Sequence, residues 1–322
     1  MEPAVLTQLS ANIGAGIAIG LGAIGAAIGE GHTAAHANAA ISRNPQLSGE
    51  VFKTMLVGQA IAESAAIFAL VVAMILLFSN VAATSYVTAF AFMAAGLSMG
   101  FGAIGSGVGS GYPAGAACQG IVRQPAMAGK LTANMLIGSA VCQTPAIFAL
   151  VTSFILIFND YALKAPAPLW AAILGAGLAT GLAAIGSGIG GGLVAEASSK
   201  GIARQPLSIG PVTNVMLLGL AIAQTPAILG LLVAFILIFK GFPASTEWAP
   251  AMALLGAGLC MGIGGIGPGI GEGTAAAGGV RWIARNSEHI GAITRTMLVG
   301  MAVAESTAIY AMVIALVLIF VV

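Results

Sequence analysis

The sequence predicts an all-α integral membrane protein of eight transmembrane helices, arranged as four tandem helical hairpins. Three observations carry this. The 322-residue chain is 59% hydrophobic and only 7% charged, with a mean hydropathy of +1.03. A soluble domain carries about 25% charged residues, so this chain could not cover a water-facing surface. One unit of about 80 residues is written four times. Each copy holds two apolar stretches longer than the ~20 residues that a membrane helix needs.

The units are expected at residues 1–82, 83–163, 164–244 and 245–322. The first stretch of each is rich in Gly and Ala: GAGIAIGLGAIGAAIGEG, GLSMGFGAIGSGVGSG, GAGLATGLAAIGSGIGGG and GAGLCMGIGGIGPGIGEG. Gly at this density is a poor helix former in water, but in lipid small residues let helix backbones approach closely. These helices should form a tight inner layer. The second stretch is rich in Leu, Ile, Val and Phe and should wrap outside. A short polar loop joins the two: SRNPQLSGE, VRQPAMAGK, ARQPLSIGP and ARNSEHIGA. Arg43, Arg123, Arg204 and Arg285 hold equivalent positions in or beside these loops. Lys53, Lys130, Lys200, Arg281 and Arg295 lie there too, whereas Lys164 and Lys240 lie at the opposite end. The positive-inside rule therefore puts the loops in the cytoplasm and both termini outside. The links between units carry Pro and aromatics, and Tyr161, Trp170 and Trp248 are expected at the membrane interface. An even number of spans per unit gives all four hairpins one orientation, which argues against an inverted-repeat transporter.

The outer stretch of the first unit, MLVGQAIAESAAIFALVVAMILLFS over residues 55–79, carries Glu63 in its middle. An acid at that depth is expensive and marks an ion or proton path. Through the four copies the position reads Glu63, Gln143, Gln224 and Glu305. Each inner stretch holds a partner position 33 residues earlier: Glu30, Ser110, Gly191 and Glu272. Acids are thus present or absent as pairs, and each pair should form one site. Two carboxylates in low dielectric cannot both stay charged without compensation. Either one holds a proton while the other binds a cation, or the pair shares protons only. Ser64 and Ser306 follow the outer acids and supply an extra oxygen. An all-oxygen ligand set suits a hard cation such as Na⁺. Tyr310, five positions after Glu305, can orient an acid; Phe68, Phe148 and Leu229 hold that place elsewhere and cannot.

Other features carry less. Cys118, Cys142 and Cys260 show no disulfide or zinc spacing and read as packing residues. A formal charge of +1 gives no reason to invoke nucleic acid. The N-terminus has no basic region before its apolar run, so a cleaved signal peptide is not expected. GAIGAAIGEG offers GxGxxG-like spacing without the strand that a phosphate loop requires. His32 and His36, one helical turn apart, have no counterparts in the other units and read as a polar helix end. Glu196 and Glu288 lie near the loops and are expected to be solvated or partner-facing.

The RNP and RQP loop strings, the GxGxGxG inner helix and AESTAIY in the outer helix resemble the c-type rotor (proteolipid) subunit of F-type ATP synthases. GPGIGEG together with AESTAIY is similar to the Na⁺-motif members, including the N-ATPases. Fusion of four hairpins with loss of half the acids resembles V-type rotor subunits. The resemblance covers essentially the whole chain. It implies a homo-oligomeric membrane ring in a plasma or inner membrane, surrounded by lipid and meeting a central stalk through the Arg43, Arg123, Arg204 and Arg285 loops. Glu63 and Glu305 would be the ion carriers, with Glu30 and Glu272 as co-ligands. Ser64 and the Ile61 carbonyl, and Ser306 and the Val303 carbonyl, would complete Na⁺ sites across neighbouring hairpins. Pro268 fits the sodium pattern, whereas Ala26 and Phe68 depart from it, so Na⁺ and H⁺ both stand as cargo.

The resemblance implies no cofactor and no catalysis by this chain alone. A loaded site is neutral and can face lipid; a stator a subunit would displace the ion with its own Arg. Gln143 and Gln224 never ionise, so one chain would carry two ions per turn rather than four, which favours ATP-driven pumping against a steep gradient. Two neighbour orders remain. In one, Glu63 borrows Ser306 and Tyr310 from another chain and Glu305 borrows Thr225. In the other, Glu305 borrows Ser64 and Phe68 and Glu63 borrows Thr144. A rival reading is a stand-alone ion channel or secondary transporter, which would need polar residues along one continuous path.

Overall fold

The computed structural model describes residues 2–78, 85–161 and 166–321. Most of the NVAATS link and Lys164 lie outside the described residues. Among those described, eight helical spans are long and apolar enough to cross a membrane, and the regular structure is entirely helical.

The inner helices are α1 (Pro3–Arg43), α3 (Tyr86–Arg123), α6 (Leu169–Arg204) and α9 (Trp248–Arg285). The outer spans are α2 (Ser48–Phe78), α4 with α5 (Ala128–Cys142 and Thr144–Phe158), α7 with α8 (Ile209–Ala223 and Thr225–Phe239) and α10 (Ile290–Phe320). Each polar loop is one 3-10 turn, as at Pro45–Leu47 and Pro125–Met127. Pro at the first position of three of these turns stops the inner helix, because the residue before a proline is pushed out of the α region. All four loops lie at one end of the bundle, each at the C-terminus of an inner helix.

The inner helices stand side by side in chain order, α1 on α3, α3 on α6 and α6 on α9. Glycine makes this contact possible. A Cβ built on Gly109 would lie 2.0 Å from the Gly188 carbonyl oxygen, and one on Gly190 would lie 2.0 Å from that of Gly269. No side chain fits there, so backbone meets backbone. The first three outer spans each pack on their own inner helix and on that of the next hairpin: α2 touches α1 and α3, and α7 and α8 touch α6 and α9.

The two ends of this wall are open in complementary ways. Gly16 and Gly31 on α1 have nothing within 4 Å, whereas their repeat counterparts Gly96 and Gly111 abut the preceding hairpin's backbone at 2.2 and 2.3 Å. At the other end Gly267 on α9 has nothing within 4 Å, whereas Gly25, Gly105 and Gly186 meet the following hairpin's backbone at 2.5, 2.5 and 2.3 Å. Outer helix α10, which has no following hairpin, leaves Val303 67% and Tyr310 66% exposed.

Two sequence expectations change. Tyr161 is buried in the helix core rather than displayed at an interface, while Trp248 is exposed and Trp170 stacks on Phe90 with ring centroids 5.2 Å apart. Glu196 is not solvated. It is buried between inner helices and accepts a hydrogen bond from Lys200 at 2.5 Å. Lys240 caps the far end of α10 by donating to the Ile319 carbonyl at 3.2 Å.

Candidate functional site

The sequence treats the four outer spans as equivalent, but the structure breaks two of them. α4 ends at Cys142 and α5 begins at Thr144; α7 ends at Ala223 and α8 begins at Thr225. The cause is Pro145 and Pro226, two residues after Gln143 and Gln224. A proline has no amide to donate to the carbonyl four residues back, and its ring crowds that carbonyl. The helix therefore turns at the glutamine. The amide just past each proline is also released, and an inner-helix hydroxyl accepts from it: Ser106 Oγ from Ala146 N–H at 3.1 Å and Ser187 Oγ from Ala227 N–H at 3.2 Å. The acid-bearing hairpins have Ala26 and Pro268 at these serine positions and keep α2 and α10 unbroken. Pro145, Pro226, Ser106 and Ser187 were not singled out from sequence. The QTP strings beside AES were the available signal.

The paired positions meet. Gln143 Nε2 donates to Ser110 Oγ of its own hairpin at 2.7 Å. The same nitrogen donates to the Ile61 carbonyl of the preceding hairpin at 2.9 Å. Ser110 in turn donates to the Ser106 carbonyl at 2.7 Å. One polar centre thus bridges two hairpins in the middle of their spans. In the third hairpin a Cβ on Gly191 would lie 3.3 Å from Gln224 Nε2 and 3.3 Å from Cys142 Sγ of the second hairpin. Gln224 again lies against its partner position, but its buried amide makes no hydrogen bond there.

The acids occupy the same places with different surroundings. Glu272 is fully buried and neither carboxylate oxygen has a hydrogen-bond partner; Glu305 is its acidic neighbour. Glu63 is likewise the acidic neighbour of Glu30, and Gln59 Nε2 donates to the Glu30 carbonyl at 3.2 Å. Glu305 is half-buried, whereas Glu63 is exposed at the open edge of the wall. Ser64 Oγ donates to the Ile61 carbonyl at 2.6 Å and Ser306 Oγ to the Val303 carbonyl at 2.7 Å. Tyr310 lies exposed on the opposite edge from Glu63. No cluster of three His, Cys, Asp or Glu side chains suited to a metal ion occurs among the described residues. The acid and glutamine positions share one mid-depth level, while Asn134 with Ser198 and Thr213, and Thr152 with Thr180, hydrogen-bond at other levels.

At the loop end, Arg43, Arg123, Arg204 and Arg285 are exposed. They line clefts between neighbouring inner helices, joined by Lys200 and Arg281. Nearby, the His32 and His36 rings stack at 4.1 Å, and His32 meets the edge of Tyr112 at 5.0 Å. This is packing between α1 and α3.

The chain matches the family of ATP synthase C subunits four times, over residues 13–76, 93–156, 174–237 and 255–318. It is 54% identical over 73 residues to the ATP synthase c subunit of Petrotoga mobilis, covering 23% of this chain and 76% of that one. It is 56% identical over 68 residues to the ATP synthase c subunit of Thermotoga maritima, covering 21% and 80%. Over 229 residues it is 31% identical to the A-type ATP synthase K subunit of Methanocaldococcus jannaschii, covering 70% of this chain and 94% of that one.

Proposed function

The chain belongs to the family of ATP synthase C subunits, with four family repeats fused in one polypeptide, and from that premise we propose that Glu63 and Glu305 are its ion carriers. It is a rotor-ring subunit of a rotary ATP synthase, a multi-pass membrane protein that works in a ring with the other subunits of that machine. Glu30 and Glu272 act as co-ligands. Ser306 supplies a hydroxyl oxygen and Val303 a carbonyl, whereas Ser64 and Ile61 hold the same places beside the silent Gln143. Gln143 and Gln224, with Ser110 and Gly191, form silent positions.

The observation that carries this reading is the Gln143 amide. Its N–H₂ group occupies the carboxyl position and bridges Ser110 to the carbonyl of the hairpin before it. In the acid-bearing hairpins the carboxylate at that place has a second carboxyl, Glu30 or Glu272, at the Ser110 position, and a backbone carbonyl opposite, all oxygen acceptors. A bound cation or a proton is then needed between them. The oxygen-only surroundings favour Na⁺ as cargo. A loaded pair is neutral and passes through lipid; an Arg of the stator unloads it. A silent hairpin is neutral at all times and passes the stator without moving an ion, so each chain moves two ions per turn. The basic clefts around Arg43, Arg123, Arg204 and Arg285 face the cytoplasm and receive the central stalk, with both termini on the other side.

Carbodiimide labelling of the intact ring tests the reading. Glu63 and Glu305 should react, and Na⁺ at constant pH should slow both. Labelling that responds to pH but not to Na⁺ makes protons the cargo. Absence of labelling at either acid removes them as carriers.

A further inference from the structure

We propose that the two carboxylate sites of one chain are assembled differently and are chemically unequal. The site of Glu272 and Glu305 is completed inside the chain by the Ile222 carbonyl and Thr225. The site of Glu30 and Glu63 is completed only by Val303, Ser306 and Tyr310 of a second copy. The inference rests on the ion-carrier reading above.

The direction comes from Gln143. Its amide reaches back to Ile61 of the hairpin that precedes it in the chain, and the outer spans follow in the same order, α2 on α4 and α4 on α7. The repeat therefore places each carboxyl position against the outer span of the preceding hairpin. By that repeat Glu305 falls against Ile222 and Thr225, the counterparts of Ile61 and Ser64. Glu63 has no preceding hairpin in its own chain and is exposed. Its missing neighbour is present elsewhere on the molecule. The last hairpin exposes Val303 and Tyr310 on α10, and Gly267 on α9 stands free where its three counterparts each meet a following hairpin's backbone. Gly16 and Gly31 stand free on α1 where their counterparts meet a preceding one. The two open edges are the two halves of the contact that the chain makes with itself three times. A second copy is the occupant that fits both.

The ligands then differ. Pro226 has no amide, so the Ile222 carbonyl lacks the helical partner that an unbroken helix would give it. It accepts instead from the Gln224 amide, only two residues on, which leaves it without the regular helical bond. The Glu272 carboxyl of the next hairpin is fully buried with both oxygens unpartnered. In the second site the Val303 carbonyl lies in the unbroken α10, with the Thr307 amide as its regular helical donor, and it also accepts from Ser306 Oγ at 2.7 Å. It is a weaker cation ligand. Tyr310 offsets this by adding a hydroxyl that the in-chain site lacks, since Leu229 holds that place in the third hairpin.

Substitutions in the intact ring separate the two sites, with carbodiimide labelling read peptide by peptide against Na⁺ concentration and pH. Ser306→Ala should raise the cation concentration that half-protects Glu63 by about fivefold, roughly the worth of one neutral polar ligand. It should leave Glu305, its neighbour in sequence, unchanged. Thr225→Val and Pro226→Ala should do the reverse, weakening protection of Glu305 alone. Whether protection is by Na⁺ or by protons, the pattern of which acid responds is the same. If Ser306→Ala acts on Glu305, or if Ser64→Ala weakens Glu305 while Thr225→Val does not, the assignment of neighbours is overturned although the carriers stand. If neither acid shows cation- or pH-dependent labelling in the wild-type ring, the carrier reading falls and this inference falls with it.

Discussion

Gly267→Ala should leave the single chain intact and weaken the ring. In the chain, a Cβ at residue 267 meets nothing within 4 Å. There the substitution favours the helix by up to about 1 kcal/mol, because Ala loses less backbone freedom than Gly. At the junction between copies the repeat predicts a different environment. The counterparts Gly25, Gly105 and Gly186 would each place a Cβ 2.3–2.5 Å from backbone atoms of the next inner helix. Ordinary contact needs about 3.5 Å, so the helices must part by about 1 Å. Overpacking of this kind costs about 1–3 kcal/mol, and it recurs once per chain around the ring. Gly186→Ala makes the same clash inside the chain and should destabilise the chain itself. Native mass spectrometry of detergent-extracted rings during a temperature ramp reads both effects. Gly267→Ala should lower the temperature at which chains leave the ring, or change the number of chains in it. It should not lower the melting temperature of the separated chain. Rings of unchanged size and stability would refute the argument that the open glycines mark the contact between copies.

Three further outcomes follow from the same geometry. Ser106→Ala removes the acceptor for the amide freed beside Pro145 and should destabilise the second hairpin by about 1–3 kcal/mol, measured by thermal melting of the chain, without altering ion protection at Glu63. Lys200→Met leaves Glu196 buried without its partner. It should destabilise the chain by more than the double change with Glu196→Gln, a comparison read by a double-mutant cycle; the Lys is partly exposed, so the difference should be about 1 kcal/mol. Ion transport measured against ATP hydrolysis should give two ions per chain per turn. A ratio matching one ion per hairpin would overturn the silent role of Gln143 and Gln224.

The hairpins, their order and the pairing of Glu30 with Glu63 were legible because each rests on a periodic signal: hydropathy, loop polarity and a fixed 33-residue offset. Ser110 and Gln143, at that offset, do hydrogen-bond at 2.7 Å. The neighbour order was not legible. Two helical walls of opposite hand share one hydropathy pattern, and only the direction in which Gln143 reaches distinguishes them. Glu196 was misjudged for a related reason. Its nearness to the loop in sequence suggested water, but it is buried among the helices, and the Lys200 one turn later is what makes that burial tolerable. Pro145 and Pro226 stood in plain view. Their effect depends on which carbonyl is four residues back, and that carbonyl matters only once its neighbour across the hairpin junction is known.

The silent hairpins are more than acids deleted. A bare hydrocarbon at residue 143 would remove the N–H₂ donor that links Ser110 Oγ to the Ile61 carbonyl across the hairpin junction, a loss that water cannot replace in lipid. Glutamine keeps the shape and length of the acid and brings its own N–H₂ into the place where a carboxylate would need a cation. On the proposed mechanism, it imitates the loaded site and cannot be unloaded, because an amide has no charge for a stator Arg to attract. The same glutamine hairpin carries the proline that breaks its helix. The third hairpin carries both as well, and on the proposed neighbour order its Ile222 carbonyl, relieved of its regular helical bond, completes the site of the fourth. A residue that makes one hairpin silent is therefore accompanied by a change that equips the next hairpin to bind. This accounts for Pro226 standing directly before an active hairpin, and by the same geometry Pro145, which precedes the silent Gln224, should be replaceable by Ala with no effect on the ion protection of either acid.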